Sequence, residues 1–412
     1  MTDFDQLVAE MNAEVQKCVN CGFCESVCPT LPSSGFNAII GARGRVDLGK
    51  AFVDDVKRNG RSELDMSESF YSCLDCFACL QVCPAGVNAG IVSEIGREIV
   101  AGSGEFTGSK ENNFAKMVVE ATMRYGNPLG VREKCSDWAD GLEFNHNSDT
   151  LLYTGNMYQL MAFSESLSRM QRYMGSLAEL LAGVVANHTT LIKITGSMAN
   201  RETQYRVNGF LKSIYKLLRM AGVDFNYLGK EEPYPGTFIY DLGYKEKFLE
   251  YGKRVIELFR NHGVRTIITV DPHTYDILNN QYRENFKDFD FEVVHYLDYL
   301  NDLRFSHNRG TVTLHEPCHF VLRNNTYSKP TEILRRVADV IYPERSGKHT
   351  LCCGGPAELM FGNLTKNISE KRFDQLKAAG ADNIVTACPI CYVNLNKDGS
   401  ITDLSQYLLE SL

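Results

Sequence analysis

Cys73-Leu-Asp-Cys76-Phe-Ala-Cys79-Leu-Gln-Val-Cys83-Pro84 is the stretch around which the chain is organised. An earlier stretch, Cys18-Val-Asn-Cys21-Gly-Phe-Cys24-Glu-Ser-Val-Cys28-Pro29, repeats its cysteine and proline positions. Each has the spacing C-x2-C-x2-C-x3-C-P, which holds iron–sulfur clusters. Three cysteines at intervals of three wrap a tight loop around one face of a cluster. The start of a helix carries the fourth past that cluster, and proline ends the site. A pair of structural zinc sites is the alternative. Zinc takes four ligands from two knuckles, usually with longer gaps between them, and two complete copies with both prolines argue against it.

Where two such runs share two clusters, the fourth cysteine of each ligates the other cluster. The expected sets are Cys18, Cys21, Cys24 and Cys83 for one cubane [4Fe–4S] cluster, and Cys73, Cys76, Cys79 and Cys28 for the second.

At 412 residues the chain has room for two or three domains. Its 44% hydrophobic and 23% charged residues are ordinary for a globular protein. A net charge of −8 argues against nucleic acid as a partner, because phosphate binding wants a basic face. Of 14 cysteines, eight lie in the two runs and five form a second set, leaving Cys135 as a buried small hydrophobe. Metal-type spacing suggests a reducing compartment. The start, Met1-Thr-Asp-Phe-Asp-Gln6, has no basic or apolar segment, so no signal peptide is expected. No run of about 18 apolar residues exists, so no transmembrane segment is expected. The expected location is cytoplasmic, with peripheral attachment to the inner face of the membrane left open.

Along the chain, residues 1–17 pattern as an amphipathic helix. Gly41-Ala-Arg-Gly-Arg45 precedes a helical stretch at about 46–58. Arg43 and Arg45 either face the clusters or a partner, or sit in a surface turn. Gly90 to Val100 has helical spacing. A connector with a helix at about 111–125 and the turn Gly126-Asn-Pro-Leu-Gly130 follows, and Trp138 should pack it onto a neighbour. From about 150, strand-like runs at 149–154, 266–270, 310–315 and 383–387 alternate with helices at about 206–221, 245–262, 330–340 and 365–379. That alternation predicts a parallel-sheet α/β domain.

This part contains an internal repeat. Gly263 to Tyr275 aligns without gaps on Gly380 to Tyr392, placing Asp271 on Cys388 and Thr274 on Cys391. Tyr234-Pro235 falls on Cys352-Cys353, and Asn156 on Cys318. The first half keeps Gly236, Pro272 and Tyr275 but none of the five thiols. It also carries an insertion at about 160–205, whose apolar stretch Leu177 to Val185 is by default buried in the core, with docking on a partner or membrane surface as the minority reading.

The second half has Cys318, Cys352-Cys353-Gly354 and Cys388-Pro-Ile-Cys391 at the mouths of predicted strands, where open α/β sheets build sites. Five thiolates exceed the four that zinc needs, and adjacent cysteines suit a cluster whose irons lie side by side. His315, His319 and His349 flank the set and are candidates for proton handling, with structural roles as the alternative. No catalytic residue is otherwise assigned.

Cys-x33-Cys-Cys-Gly-x33-Cys-x2-Cys resembles the cysteine-rich CCG domain of the heterodisulfide reductase superfamily. The N-terminal part, with Cys-Val-Asn-Cys-Gly-Phe-Cys, Pro-Thr, Gly-Ala-Arg-Gly-Arg-Val and Ile-Gly-Arg-Glu-Ile-Val, resembles the iron–sulfur subunit of glycolate oxidase. It is also similar to that of anaerobic glycerol-3-phosphate dehydrogenase and to the D-type subunit of heterodisulfide reductase, toward which the Gly-Asn-Pro-Leu-Gly connector leans. The resemblance implies a noncubane [4Fe–4S] cluster on Cys318, Cys352, Cys353, Cys388 and Cys391. The expected fold is α+β and multidomain. A helical two-cluster ferredoxin-type domain at 1–100 leads through a connector at 101–148 to an α/β domain of two pseudo-repeated CCG halves. The degenerate half spans 149–300 and the cysteine-complete half 301–412.

No Gly-x-Gly-x-x-Gly follows a strand and no Gly-x4-Gly-Lys-Ser/Thr loop is present, so no flavin or nucleotide is expected on this chain. Such a chain passes single electrons and does not oxidise an organic substrate by hydride transfer alone. The expected role is an electron-transfer subunit. A FAD-containing dehydrogenase acting on a 2-hydroxy acid or glycerol 3-phosphate would supply electrons through the cubane clusters to the CCG cluster, and on to a quinone or a membrane-anchor partner. The alternative is disulfide reduction at the noncubane cluster. A scaffold with structural metals is a third reading that the motifs disfavour.

Overall fold

Helices with one apolar face build the N-terminal part. Helix Asp3–Val15 buries Leu7, Val8, Met11 and Val15 at intervals of one to four residues, the stripe of an amphipathic helix. Helix Ala42–Asn59 lies against it and against helix Ala89–Gly102. The three meet at Gly49, where a Cβ would sit 3.1 Å from Val15 Cγ1 and 3.2 Å from Val92 Cγ1. Gly60, at φ 75°, ends the second helix in the left-handed conformation. In this computed structural model the described residues are 3–102, 106–163, 181–185, 199–307, 309–324, 327–358 and 360–412.

Two parallel sheets follow. The first has the order β1 (Thr150–Tyr153), β2 (Thr266–Thr269), β3 (Glu292–His295), with Leu151 opposite Ile267 and Ile267 opposite Val293. The second has the order β5-β4-β6-β7, built from β4 (Thr311–His315), β5 (Asp339–Val340), β6 (Asn383–Thr386) and β7 (Ile401–Asp403). Alternation along the first sheet divides it between two cores. Leu151, Tyr153, Ile267 and Val293 face the core shared with the N-terminal helices. Leu152, Ile268 and Val294 face the core shared with the second sheet. The first sheet is therefore the wall on which both neighbours are built.

The two sheets have matching parts. β2 leads into Asp271, which caps helix Pro272–Asp276, and β6 leads into Cys388, which precedes helix Pro389–Leu395. Gly236 (φ 86°) and Gly354 (φ 89°) each open a short helix from the left-handed region. An isolated parallel bridge from Leu151 to Asn226 lies beside β1, as β5 lies beside β4.

Several expectations change. The helix expected at 330–340 ends at Leu334, and Asp339–Val340 is a strand. β3, β5 and β7 have no counterpart among the strand-like runs; β5 and β7, of two and three residues, are too short for a period to emerge. Gly41-Ala-Arg-Gly-Arg45 is not a surface turn: the helix begins at Ala42, and Gly44 permits contact with Ala38, whose carbonyl oxygen would lie 1.8 Å from a Cβ. Trp138 does pin the connector, its Nε1–H donating to Tyr227 Oη at 3.0 Å. Most of the 160–205 insertion lies outside the described residues. Within 181–185, Ala182 is buried while Leu181 and Val184 are exposed, so core burial holds for only part of this segment.

Arg323 joins all three parts. Its side chain is 5% exposed and meets Asp75 at 3.0 Å, Glu94 at 3.2 Å and Asp276 at 2.8 Å. Its guanidinium carbon also lies 4.1 Å from the centroid of the Phe77 ring. Burial pushes the Asp75 carboxyl up, but Arg323, a hydrogen bond from Glu94 and the charges of Arg97 and His319 together outweigh it, and the pKa falls below the usual range. Asp276 is likewise held well below its ordinary value, Arg323 and His319 overcoming the effect of burial. Burial and the Asp75 charge push Glu94 up instead. Arg323 is thus a buried cation between two ionised carboxylates. Arg323→Met should cost about 3–5 kcal/mol, because it leaves both unpaired. Anaerobic thermal unfolding checks this, and a loss under about 1 kcal/mol would contradict it.

Candidate metal centres

The two cysteine runs share one backbone path. Asn20 and Gly22 flank Cys21 at φ 59° and 80°, and Asp75 and Phe77 flank Cys76 at φ 52° and 59°. Left-handed residues on both sides of the second cysteine curl the loop, and a short helical turn, Phe23–Ser26 or Ala78–Gln81, carries the chain away. Backbone N–H groups donate to sulfur, Asn20 N to Cys18 Sγ at 3.4 Å and Val87 N to Cys83 Sγ at 3.2 Å.

The fold brings the thiols together in crossed sets. One cavity is lined by Cys18, Cys21 and Cys24 of the first run and Cys83 of the second, with Arg43 beside them. Cys79 has Cys76, Cys73 and Cys28 as its charged neighbours. Burial first, then those three sulfurs, push its thiol well up. Burial and Glu25 push Cys24 up to about 12. Sulfurs packed so that their thiolates repel one another suit multivalent iron, which supplies the missing positive charge, so the donor sets fit two clusters.

Three buried arginines secure the second run. Arg45 donates to Cys28 Sγ at 3.8 Å, Ser69 O at 2.8 Å and Ser72 Oγ at 3.0 Å. Arg97 donates to Phe70 O at 3.0 Å and to Cys73 O at 2.6 Å, and reaches Asp241 O in the first sheet's half at 2.7 Å. Arg323 reaches Asp75 O at 3.2 Å. Of these, Arg45 stands out in the sequence by its motif. Arg97 stands in Ile-Gly-Arg-Glu-Ile-Val, whereas Arg323 carries no local signal, since an arginine outside a motif reads as surface.

The five remaining cysteines of the second half converge, all buried. Cys318 Sγ lies 3.9 Å from Cys352 Sγ. Hydrogen bonding with the sulfurs of Cys318, Cys353 and Cys76 pushes the Cys352 thiol well up. Cys353 in turn meets Cys391, and Cys391 meets Cys388. Cys76 belongs to the second run, so the two sulfur sites touch. More thiols than a tetrahedral ion can use, in one dry pocket, fit a cluster better than zinc.

Of the three histidines, His315 alone adjoins the sulfurs: one of its ring nitrogens lies within 4.8 Å of the Cys353 and Cys391 sulfurs. Arg372 Nε donates to its Nδ1 at 3.1 Å, which leaves the proton on Nε2, facing Cys353. Burial lowers its pKa. His319 instead pairs with Asp276 at 2.9 Å and packs on His273, ring centroids 3.8 Å apart. His349 is exposed in the turn Gly347–His349, which packs beside the helix Ala78–Gln81.

In the first half, the corresponding positions are filled by packed side chains. Tyr234 is fully buried and its oxygen accepts from Phe238 N at 3.1 Å. Asp271 caps its helix through His273 N at 2.9 Å and Thr274 N at 3.0 Å. A Cβ on Gly155 would lie 2.5 Å from Thr274 Oγ1, so little space remains.

Comparison with known proteins agrees with this geometry. Residues 14–87 match a 4Fe-4S dicluster domain, and residues 312–396 match the cysteine-rich CCG domain. The chain thus joins a dicluster iron–sulfur domain to a cysteine-rich CCG domain. It is 24% identical to an EtfAB:quinone oxidoreductase of Syntrophomonas wolfei, over 92% of this chain and 54% of that one. It is 23% identical to the D-type subunit of the dihydromethanophenazine:CoB–CoM heterodisulfide reductase of Methanosarcina barkeri, over 100% and 95%. It is 25% identical to a probable glycolate oxidase iron–sulfur subunit of Bacillus subtilis, over 93% and 88%. The chain spans between 44% and 59% of the length of three curated relatives that it matches. Among the described residues, no helix is long and apolar enough to cross a membrane.

Glu232, buried beside Thr154, offers a test of this packing. Burial pushes its carboxyl up to about 8 from 4.5, against hydrogen bonds from Thr154 that lower it. The folded state therefore holds a proton that the unfolded chain releases, and stability falls as pH rises from about 4.5 to about 8. Glu232→Gln should flatten that fall in thermal unfolding midpoints between about pH 5 and pH 8. An unchanged slope would contradict the assignment.

Proposed function

We propose that the chain is the iron–sulfur electron-transfer subunit of an oxidoreductase complex. Cys18, Cys21, Cys24 and Cys83 hold one cubane cluster, and Cys73, Cys76, Cys79 and Cys28 the second. Cys318, Cys352, Cys353, Cys388 and Cys391 hold a noncubane cluster. These clusters supply one-electron carriage. The N-terminal domain is 1–100, the connector 101–148, and the CCG halves 149–300 and 301–412, the first a copy that has lost its ligands.

The observation that carries this reading is the contact of Cys76 with Cys352. It sets the second run beside the five-cysteine set. Cys21, by contrast, is exposed, and Val19 and Phe23 beside it are 67% and 59% exposed. The order is thus outer run, inner run, buried sulfur set. A FAD-containing dehydrogenase, of the 2-hydroxy acid or glycerol 3-phosphate kind, would deliver electrons at the outer run. The Arg45, Arg97 and Arg323 guanidiniums around the inner run favour electron arrival there, because added negative charge is better tolerated beside buried cations. His315 holds a proton at Nε2 beside Cys353, and Arg372 fixes that tautomer. The membrane would be reached through a partner.

Iron counting tests the ligand sets. Cys318→Ala should lower bound iron by about four atoms per chain, one [4Fe–4S] cluster, with both cubane signals kept in electron paramagnetic resonance. The crossed sets predict that Cys21→Ser with Cys83→Ser removes one cluster, whereas Cys76→Ser with Cys83→Ser removes two. The reverse pattern would assign each run its own cluster.

The complex itself is tested by anaerobic purification from native cells, with flavin assay and mass spectrometry of co-purifying chains. A flavoprotein in stoichiometric amount, whose substrate bleaches the cluster absorbance, is expected. A protein that purifies alone and reduces disulfides with a viologen donor would point to the reductase reading.

A further inference from the structure

Helix Gly362–Ala378 buries Thr365, Ile368, Ser369, Arg372 and Leu376, the stripe of one helical face. An arginine thus stands where the period calls for an apolar side chain. The helix packs on the turn Gly355–Ala357 and on helix Pro389–Leu395, which adjoin two of the cysteine loops. Arg372 is fully buried there.

What its guanidinium touches is neutral. Nε donates to His315 Nδ1 at 3.1 Å, and Nη1 to Arg345 O at 2.9 Å and Gln375 Oε1 at 3.2 Å. Nη2 has no hydrogen-bond partner among the described residues. No carboxylate among them pairs with Arg372. Glu316 is near enough to favour its charge, but accepts from Gly347 N instead. Arg323 is also buried, yet it lies between Asp75 and Asp276. A buried guanidinium with no anion against it is costly. Burial lowers its pKa to about 10, so at neutral pH it stays a cation. After Glu316, the groups that hold it charged are the sulfurs of Cys391 and Cys353. His315 Nε2, the ring atom facing Cys353, has no nitrogen or oxygen partner either. Both orphaned groups belong to the surroundings of the sulfurs.

Thiolates bring more negative charge to an iron–sulfur core than the irons offset, so a cluster on the five cysteines is an anion. We infer that Arg372 is the counter-charge of that site and makes it easier to reduce. Arg372 holds no iron. It is a positioning residue that acts by its charge and through His315. The step it favours moves one electron from the inner run into the site, with no proton transferred and no bond broken. This rests on the cluster assignment proposed above.

The test is the reduction potential of the third cluster in the full chain, prepared anaerobically and titrated under electron paramagnetic resonance. Arg372→Met removes the charge at similar length. It should lower the equilibrium constant for reducing that cluster at least tenfold, a fall of about 59 mV for one electron. Both cubane potentials should stay put. Arg372→Lys, which restores the charge, should keep the constant within threefold of the wild type. A double-mutant cycle separates charge from packing. The drop in unfolding midpoint caused by Arg372→Met should be at least halved in Cys318→Ala, where the third cluster is gone. An unchanged potential in Arg372→Met, an equal fall in Arg372→Lys, or an equal drop in both backgrounds would each overturn the inference. If Arg372→Met does not retain the third cluster, Arg372→Lys must retain it, and loss in both overturns the inference as well. A wild-type chain with only two cluster signals would sink the assignment beneath it. Three signals that ignore Arg372 would sink the counter-charge alone.

Discussion

Arg323 is the constraint on which the arrangement depends. The chain must hold an N-terminal helical unit, a first sheet and a second sheet at one fixed distance, or its sulfur sites cannot touch. A hydrophobic face alone tolerates sliding, whereas a buried guanidinium between Asp75 and Asp276 does not. Each partner comes from a different part of the chain, and separating any one leaves an uncompensated charge out of water. Asn280 and Asn324 donate to the other Asp276 oxygen at 2.6 and 2.8 Å, so the carboxylate itself cannot rotate. Position is thus enforced where the inner cysteine loop meets both halves.

The halves divide the labour. The second half gathers thiols, while the first uses the same backbone positions for Tyr234, Asp271 and Thr274, which cap and fill. Its helix Pro272–Asp276 supplies Asp276 and His273 to the junction. With no cysteines at these positions, the first half serves as the wall between two cores and as the anchor for Arg323.

Much of this was legible in the residues. The two runs announce themselves by spacing, because a cluster loop permits few alternatives. β1, β2, β4 and β6 stand out as apolar runs, because both faces of a central parallel strand are covered. The gap-free alignment of 263–275 on 380–392 likewise located Asp271 and Cys388 before any geometry. What stayed hidden depends on three dimensions. Nothing around Arg323 distinguishes it from a surface arginine, since its partners lie 47 or more residues away in sequence. His349 looked as close to the thiols as His315, yet one short turn carries it into solvent. The contact of Cys76 with Cys352 joins two motifs that are each complete alone, so neither spacing hints at it.

Phe77 takes the left-handed place that Gly22 occupies in the outer loop, where a side chain costs roughly 1–2 kcal/mol. The ring is kept there for what it touches: Arg323 above it, and Gly90, which has no Cβ to obstruct it. The two loops therefore differ in compliance. The inner one is a cast mould, rigid before any iron arrives, because its curvature is locked by packing. The outer one turns on a glycine, which takes the left-handed shape without a neighbour to hold it there, so its form owes less to the rest of the fold.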